Sequence, residues 1–134
     1  MVKLKLHLYY DTTVEPFATV AGDIARILTV LKSLQERGLD VELTDTSEWT
    51  GSMLYEVYSE VARLAAVKRI RVRKVFGTAR DSGKYFGREV PALLVYEEDN
   101  LVDVYPKIDR GKLITIEDYL NNVYRGEQHV QRKT

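Results

Sequence analysis

The sequence predicts an α/β domain built on a mixed β-sheet, and three observations support this prediction. Residues 3–10 alternate polar and apolar side chains, which indicates a strand with one face on a core. Apolar residues then recur at helical spacing from Phe17 to Leu34. Pro91 opens a continuous apolar run over residues 92–96, which is typical of a strand covered on both faces. The sheet is therefore expected to carry helices on both sides.

The first half of the chain predicts a strand, a helix, a second strand and a second helix. The first helix is expected to begin near Pro16, which fits a first helical turn, and to end at Gly38. Residues 39–44 form the second strand, so one helix joins two strands as in a parallel βαβ pair. Ser52 is the expected cap of the second helix. The buried stripe of that helix is predicted as Met53, Val57, Val61 and Leu64, widened by Leu54, Tyr58, Ala62 and Ala65.

Two assignments fit residues 68–76, which alternate apolar and basic side chains. They could form a strand with one basic face, or the second helix could continue into them. Residues 77–87 are rich in turn formers and predict a loop or a short helical turn. Residues 92–105 predict a hairpin and 107–112 a loop. A last helix is expected to start at Thr115, with the Asp118 carboxylate three residues later.

This order of elements, together with Gly87, Pro91 and the Leu93-Leu94-Val95 run, resembles the proline hairpin of thioredoxin-fold proteins. The resemblance implies a thioredoxin-like βαβαββα fold, with a central mixed four-stranded sheet flanked by helices and a basic insert before the cis-proline hairpin. It also implies a cis Val90–Pro91 bond that faces a binding groove. The local sequence would not predict that bond, because only about 5–6% of X–Pro bonds in folded proteins are cis.

The 134 residues match the size of a single domain, expected over residues 1–126, with a flexible polar tail at 127–134. No apolar run approaches the roughly 18 residues that span a bilayer, and residues 1–10 alternate instead of forming a signal-peptide core. A cytoplasmic location is therefore expected. The high charged fraction without cysteine resembles thermophile composition.

The chain has no cysteine, which removes disulfides, thiolate nucleophiles and cysteine-based metal sites. Only His7 and His129 supply imidazoles, so a site with several histidines is not expected either. We therefore expect no metal, no cofactor and no dithiol oxidoreductase activity. The sequence favours binding over catalysis without excluding an enzyme.

Charge is segregated along the chain although the net charge is zero. Residues 39–61 contain six acidic and no basic side chains, whereas residues 68–90 contain eight basic and two acidic ones. The two segments could pair within one chain or between chains, or the basic residues could form a solvated face. Alternatively, the basic segment could bind nucleic acid, with interleaved aromatic residues stacking on bases, although a pI near 6.7 is low for this class. The residues expected to make that contact are Arg69, Arg71, Arg73 and Lys74.

The thioredoxin resemblance implies a groove beside the hairpin proline, where extended peptides pair with the backbone of Val90. The leading hypothesis is therefore a non-redox thioredoxin-fold module that binds a protein or peptide partner or forms a homodimer. Its expected groove residues are Thr12, Thr13, Pro16, Val90 and Pro91. The alternative is a glutathione-dependent transferase or isomerase, in which Thr12 or Thr13 would replace the serine of related enzymes. Glu15 would repel such an anion.

Two further side chains have an ordinary structural interpretation beside a functional one. His7 is expected to be a packed or half-exposed ring, because no catalytic partners can be named for it. Trp49 could anchor a partner surface or cover the edge of the core.

Overall fold

The computed structural model describes residues 3–15 and 21–123. Pro16, Phe17 and Val20 of the expected first helix, and the expected tail at 127–134, lie outside the described residues. Within the described ranges, no helix combines the length and apolarity needed to cross a membrane. The strands are β1 (Leu4–Tyr10), β2 (Asp40–Asp45), β3 (Ala92–Glu97), β4 (Asn100–Tyr105), β5 (Lys107–Asp109) and β6 (Lys112–Ile114). The helices include α1 (Ile24–Glu36), α2 (Gly51–Lys68), α3 (Arg73–Phe76), a 3₁₀ turn (Ala79–Asp81), α4 (Ser82–Tyr85) and α5 over residues 116–123.

Strands β1 to β4 form a four-stranded mixed sheet in the order β2-β1-β3-β4, which confirms the predicted α/β class. β1 is parallel to β2 and antiparallel to β3, and β3 is antiparallel to β4. β3 is thus an interior strand, as its continuous apolar run predicted. Its residues Ala92, Leu93 and Leu94 are fully buried.

Helices cover both faces of the sheet, and β3 contributes to the core on each side. Ala92 and Leu94 belong to a cluster with α2 and the segment 70–90, whereas Leu93 and Val95 belong to a cluster with α1 and α5. Successive strand residues point to opposite faces, which explains this alternation.

The predicted first helix is interrupted, because Gly22 and Asp23 are not helical and α1 begins only at Ile24. Gly22 has a φ of +106°, which glycine adopts readily. The Asp23 carboxylate accepts hydrogen bonds from the backbone N–H groups of Ala25 and Arg26 at 2.9 and 3.4 Å. Aspartate is a favoured N-cap residue, because its carboxylate accepts hydrogen bonds from N–H groups that have no partner within the helix. The hydrogen bonds of the Asp23 cap therefore fix the start of α1 at Ile24, although the apolar spacing predicted one continuous helix through these positions.

The four buried residues of α2 all belong to the predicted stripe and its widening residues, but the centre of the stripe lies about one residue from the predicted one. The buried residues are Leu54, Tyr58, Val61 and Ala65, whereas Met53 is 42% exposed. Thr50 caps the helix instead of Ser52, since its Oγ1 accepts from the N–H of Met53 at 3.2 Å. Both stripes are apolar at helical spacing, so only packing against the sheet selects between them.

After Lys68, the last residue of α2, residues 69–76 form neither a strand nor a continuation of that helix. Arg69 has a left-handed φ of 59° and ends the helix, and residues 73–76 form α3. The short helical turn expected in residues 77–87 is confirmed by the 3₁₀ turn and α4. The loop expected at 107–112 is instead part of the β5–β6 hairpin, whose turn residues Arg110 and Gly111 have φ values of 54° and 78°.

The cis peptide bond of the described residues is Tyr105–Pro106. The expectation of a cis Val90–Pro91 bond, which rested on the thioredoxin resemblance, is therefore wrong. The predicted start of the last helix is confirmed. The N–H of Thr115 donates to Asp118 Oδ2 at 3.0 Å, and the N–H of Asp118 donates to Thr115 Oγ1 at 3.1 Å.

Candidate functional site

Thr12 and Thr13 follow β1, where their hydroxyl groups are bonded to two carboxylates. Thr12 Oγ1 donates to Asp45 Oδ2 at 2.8 Å, and Thr13 Oγ1 donates to Asp11 Oδ1 at 2.6 Å. The pKa of Asp45 is lowered, mainly by the hydrogen bond from the Thr12 side chain and to a smaller extent by the one from the Ser47 backbone. Both hydroxyls are thus occupied, and an incoming anion would meet the negative charges of Asp11 and Asp45.

Val90 is buried, and both of its backbone polar groups are bonded within the chain. Its N–H donates to the Tyr85 carbonyl at 2.9 Å, and its carbonyl accepts from the Gly87 N–H at 2.9 Å. Its exposed fraction is 1%. A peptide could pair with this residue only by displacing these two hydrogen bonds, and the N–H of the buried Gly87 would then lose its partner.

A small cavity of about 180 Å³ lies between Thr12 and Pro91. The fold therefore brings these two predicted groove residues together, whereas Thr13 and Val90 do not line the cavity and Pro16 is outside the described residues. Arg88, which the sequence indicated only as part of a basic run, lines it as well.

Arg88 lies in the segment that leads into the β3–β4 hairpin, and its side chain contacts Trp49. Its guanidinium donates to the Trp49 carbonyl, while its Nε is buried with no hydrogen-bond partner among the described residues. The Trp49 ring is partly buried and meets the Tyr9 ring edge-on at 5.7 Å between centroids. Trp49 therefore covers the edge of the core, as one of the two sequence interpretations proposed.

A basic cleft of about 540 Å³ lies where the end of α2 meets the β5–β6 hairpin. Arg71 is held there by two backbone hydrogen bonds with Ile108, at 2.8 and 2.9 Å, although the two residues are far apart in sequence. Arg69 enters from the left-handed end of α2, and Arg110 enters from the hairpin turn. Its charged lining residues are Lys68, Arg69, Arg71, Asp109 and Arg110.

The four cations of the basic cleft exceed its one carboxylate by three formal charges. None of the four forms an ion pair within residues 3–15 and 21–123. Lys68 Nζ donates to the Val102 carbonyl at 2.5 Å, which leaves its charge without a carboxylate partner. Arg69 and Arg71 thus lie together as predicted, and Arg110 was missed because only tertiary contact places its hairpin here.

Arg73 and Lys74 lie on the other side of Arg71, around a second depression of about 520 Å³. We call it the α2 groove. Its floor is apolar and its basic residues are Arg71, Arg73 and Lys74. The apolar residues that line it are Ala62, Ala65, Ala66, Ile70 and Val72.

Two possibilities for the basic segment are not met within one chain, whereas pairing of the two charged segments between chains stays a prediction. The nucleic-acid alternative requires interleaved aromatic residues that can stack on bases, but two of them, Phe76 and Phe86, are fully buried in the core. Residues 39–61 and 68–90 are described throughout, and no ion pair joins these two segments. Glu42 instead forms an ion pair with Lys5 at 3.4 Å, and its Oε2 lies 2.9 Å from His7 Nδ1. Of the eight basic residues in 68–90, all except Arg88 are exposed to solvent.

His7 is a packed ring on β1, as the sequence suggested. Its ring stacks on Tyr9 with centroids 4.1 Å apart, and its Nε2 lies 2.7 Å from Thr44 Oγ1. Burial lowers the pKa of His7 from the ordinary value of 6.5; Glu42 opposes the shift and Lys5 adds to it. The folded protein therefore favours the neutral imidazole.

Replacing His7 by Gln is expected to flatten the dependence of stability on pH below the ordinary histidine pKa of 6.5. As the pH falls below that value the unfolded chain binds a proton first, so the free energy of unfolding of the natural protein decreases. The decrease ends once the folded-state pKa is passed. Urea unfolding of both proteins at several pH values between about 5 and 7.5 measures the difference. If the free energies of unfolding of the two proteins changed with pH in parallel, the lowered pKa of His7 would be contradicted.

No group of three or more His, Cys, Asp or Glu side chains in the described ranges could hold a metal ion. No family model matches the chain, and no curated protein or solved structure matches it. The contacts described above are therefore the basis for a functional assignment.

Proposed function

We propose that this protein is a binding module with a thioredoxin-like arrangement of strands and helices, and that it binds the phosphate backbone of nucleic acid through the basic cleft. The strand order β2-β1-β3-β4, with a parallel pair followed by an antiparallel hairpin, supports the thioredoxin-like arrangement. Because the chain has no cysteine, it cannot perform dithiol chemistry by itself.

The convergence of Lys68, Arg69, Arg71 and Arg110 on one cleft is the observation that carries the proposal. Lysine and arginine bind phosphate oxygens and release the counterions condensed on nucleic acid. A neutral chain can still present a positive surface when its charges are segregated, and this chain has a pI of about 6.7. Overall neutrality therefore does not argue against local binding of a polyanion.

Binding of this kind is expected to ignore base sequence. Base readout requires side chains that reach base edges or stack on bases, and Phe76 and Phe86 are fully buried. The residues that line the cleft include four cations and no aromatic or amide side chain, so contact is expected mainly with the phosphate backbone common to all sequences. The expected partner is a nucleic-acid duplex, because its phosphates form a regular line of negative charge.

The groove beside Pro91 is less suited to bind a peptide or glutathione. The backbone of Val90 is already bonded to Tyr85 and Gly87, and the hydroxyls of Thr12 and Thr13 already donate to carboxylates. Binding there would require the loss of these bonds. We therefore place the binding function at the basic cleft.

Titration of a short fluorescent DNA duplex at several salt concentrations tests the proposal. Four phosphate contacts predict a slope of log K against log salt of about −3 to −4. Arg69→Asn and Arg110→Asn are each expected to reduce the magnitude of the slope by about one. Asparagine is chosen because both positions have positive φ, which asparagine tolerates.

Lys32→Gln is the matched control, since it removes one exposed cation from α1 on the opposite face of the sheet and should leave the slope unchanged. Poly-glutamate, added at the charge concentration of the duplex, is the competitor. An unchanged slope in the Arg69→Asn/Arg110→Asn double variant would refute binding at the cleft. Equal competition by poly-glutamate would refute a preference for nucleic acid.

A further inference from the structure

The exposed side of α2 carries opposite charges in its two halves. Glu56 lies in the first half, Glu60 lies at the middle of the helix, and Arg63 lies in the second half. These three side chains are exposed and form no ion pair within the described ranges. Two glutamates spaced four residues apart repel each other on a helix. The helix therefore carries charges that an opposing charged surface would stabilise.

Apolar and small side chains lie alongside these charges. Tyr55 is 50% exposed, and Ala62 and Ala66 are exposed as well. Since each residue turns a helix by about 100°, residues spaced by seven or eleven positions lie within about 20° of each other. Tyr55, Ala62 and Ala66 therefore share one side of α2, and the two alanines line the α2 groove. The helix presents both a protruding aromatic ring and a depression of small residues.

We propose that two copies of the chain pair through α2 in antiparallel orientation, so that Tyr55 of each copy enters the α2 groove of the other and Glu56 faces the other copy's Arg63. A two-fold axis between Ser59 and Glu60 places residue 56 opposite residue 63. The same axis places Tyr55 opposite the span that contains Ala62 and Ala66. One register thus satisfies the charge pairs and the apolar contact together.

A second copy is the occupant that fits best, because the complementarity lies within one helix. A two-fold interface uses the same patch on both subunits, so the two partners of an ion pair across it must both lie on that patch. Glu56 and Arg63 meet this requirement and form two equivalent pairs per dimer. Tyrosine is enriched at the centre of such interfaces, and alanine allows close approach of the backbones.

Sedimentation equilibrium of the full chain tests the pairing. Glu56→Arg and Arg63→Glu are each expected to weaken dimerisation by about tenfold or more, since each creates two contacts between like charges. The double variant Glu56→Arg/Arg63→Glu restores opposite charges and should return the dissociation constant to within about threefold of the natural value. Tyr55→Ser should weaken the dimer without affecting the charge pairs.

Lys32→Glu/Glu36→Lys is the matched control, because it swaps two exposed charges on α1, away from α2, and should leave the dissociation constant unchanged. A natural protein that stays monomeric up to about 1 mM would overturn the proposal. So would a dimer that tolerates both single reversals, or a double variant that is not restored. Circular dichroism verifies that each variant is folded. Glu56 and Arg63 do not line the basic cleft, so nucleic-acid binding is tested separately.

Discussion

Phe86→Ala is expected to lower the free energy of unfolding by about 3–5 kcal/mol. Phe86 is fully buried, and its ring centroid lies 5.0 Å from that of Phe76 and 5.3 Å from that of Tyr58. Truncation removes these contacts and leaves a cavity between α2 and the sheet. Since small domains are typically stable by only about 5–15 kcal/mol, this loss would be a large part of the total.

Urea unfolding followed by circular dichroism measures the effect. Phe86→Leu is the matched control, because it keeps most of the apolar volume and should cost about 1.5 kcal/mol or less. Comparable losses for the alanine and leucine variants would contradict a tightly packed site at this position.

Gly77→Ala is expected to lower the free energy of unfolding by about 2–4 kcal/mol. Gly77 has φ +84° and ψ −172°, a conformation that is almost restricted to glycine. A Cβ atom added there would lie 2.9 Å from Asp81 Cβ and 3.2 Å from Tyr85 Cδ2. The turn cannot relax freely, because the Gly77 carbonyl accepts from the Tyr58 hydroxyl at 2.7 Å. Thermal and urea unfolding both report this loss.

Two other glycines separate the causes of that loss. Gly111 has a φ of +78° with nothing within 4 Å of an added Cβ, so Gly111→Ala should cost only the backbone strain, about 1–2 kcal/mol. Gly51 lies in the first turn of α2 with equally open space, and Gly51→Ala should stabilise by about 0.4–1 kcal/mol. A Gly77→Ala cost no greater than that of Gly111→Ala would show that the contacts with Asp81 and Tyr85 are unimportant.

The candidate sites could be predicted only in part from the sequence. The basic run indicated Arg69 and Arg71, but Arg110 comes from a hairpin that no local pattern distinguished from a loop. The nucleic-acid alternative also included Phe76, which is buried, because a short amphipathic run does not reveal which face is covered. The Pro91 motif identified an interior strand correctly. It did not reveal that the backbone of Val90 is bonded within the chain.

The sequence alone determined the α/β class, the parallel and antiparallel strand succession and the buried third strand, because local periodicity and proline position depend on nearby residues only. Tertiary structure decided which stripe of α2 is buried, where α1 begins and which distant cations share a cleft. These features depend on contacts between residues far apart in the chain, such as Arg71 with Ile108. The spacing of apolar and charged residues within one segment does not reveal which distant segment it will contact.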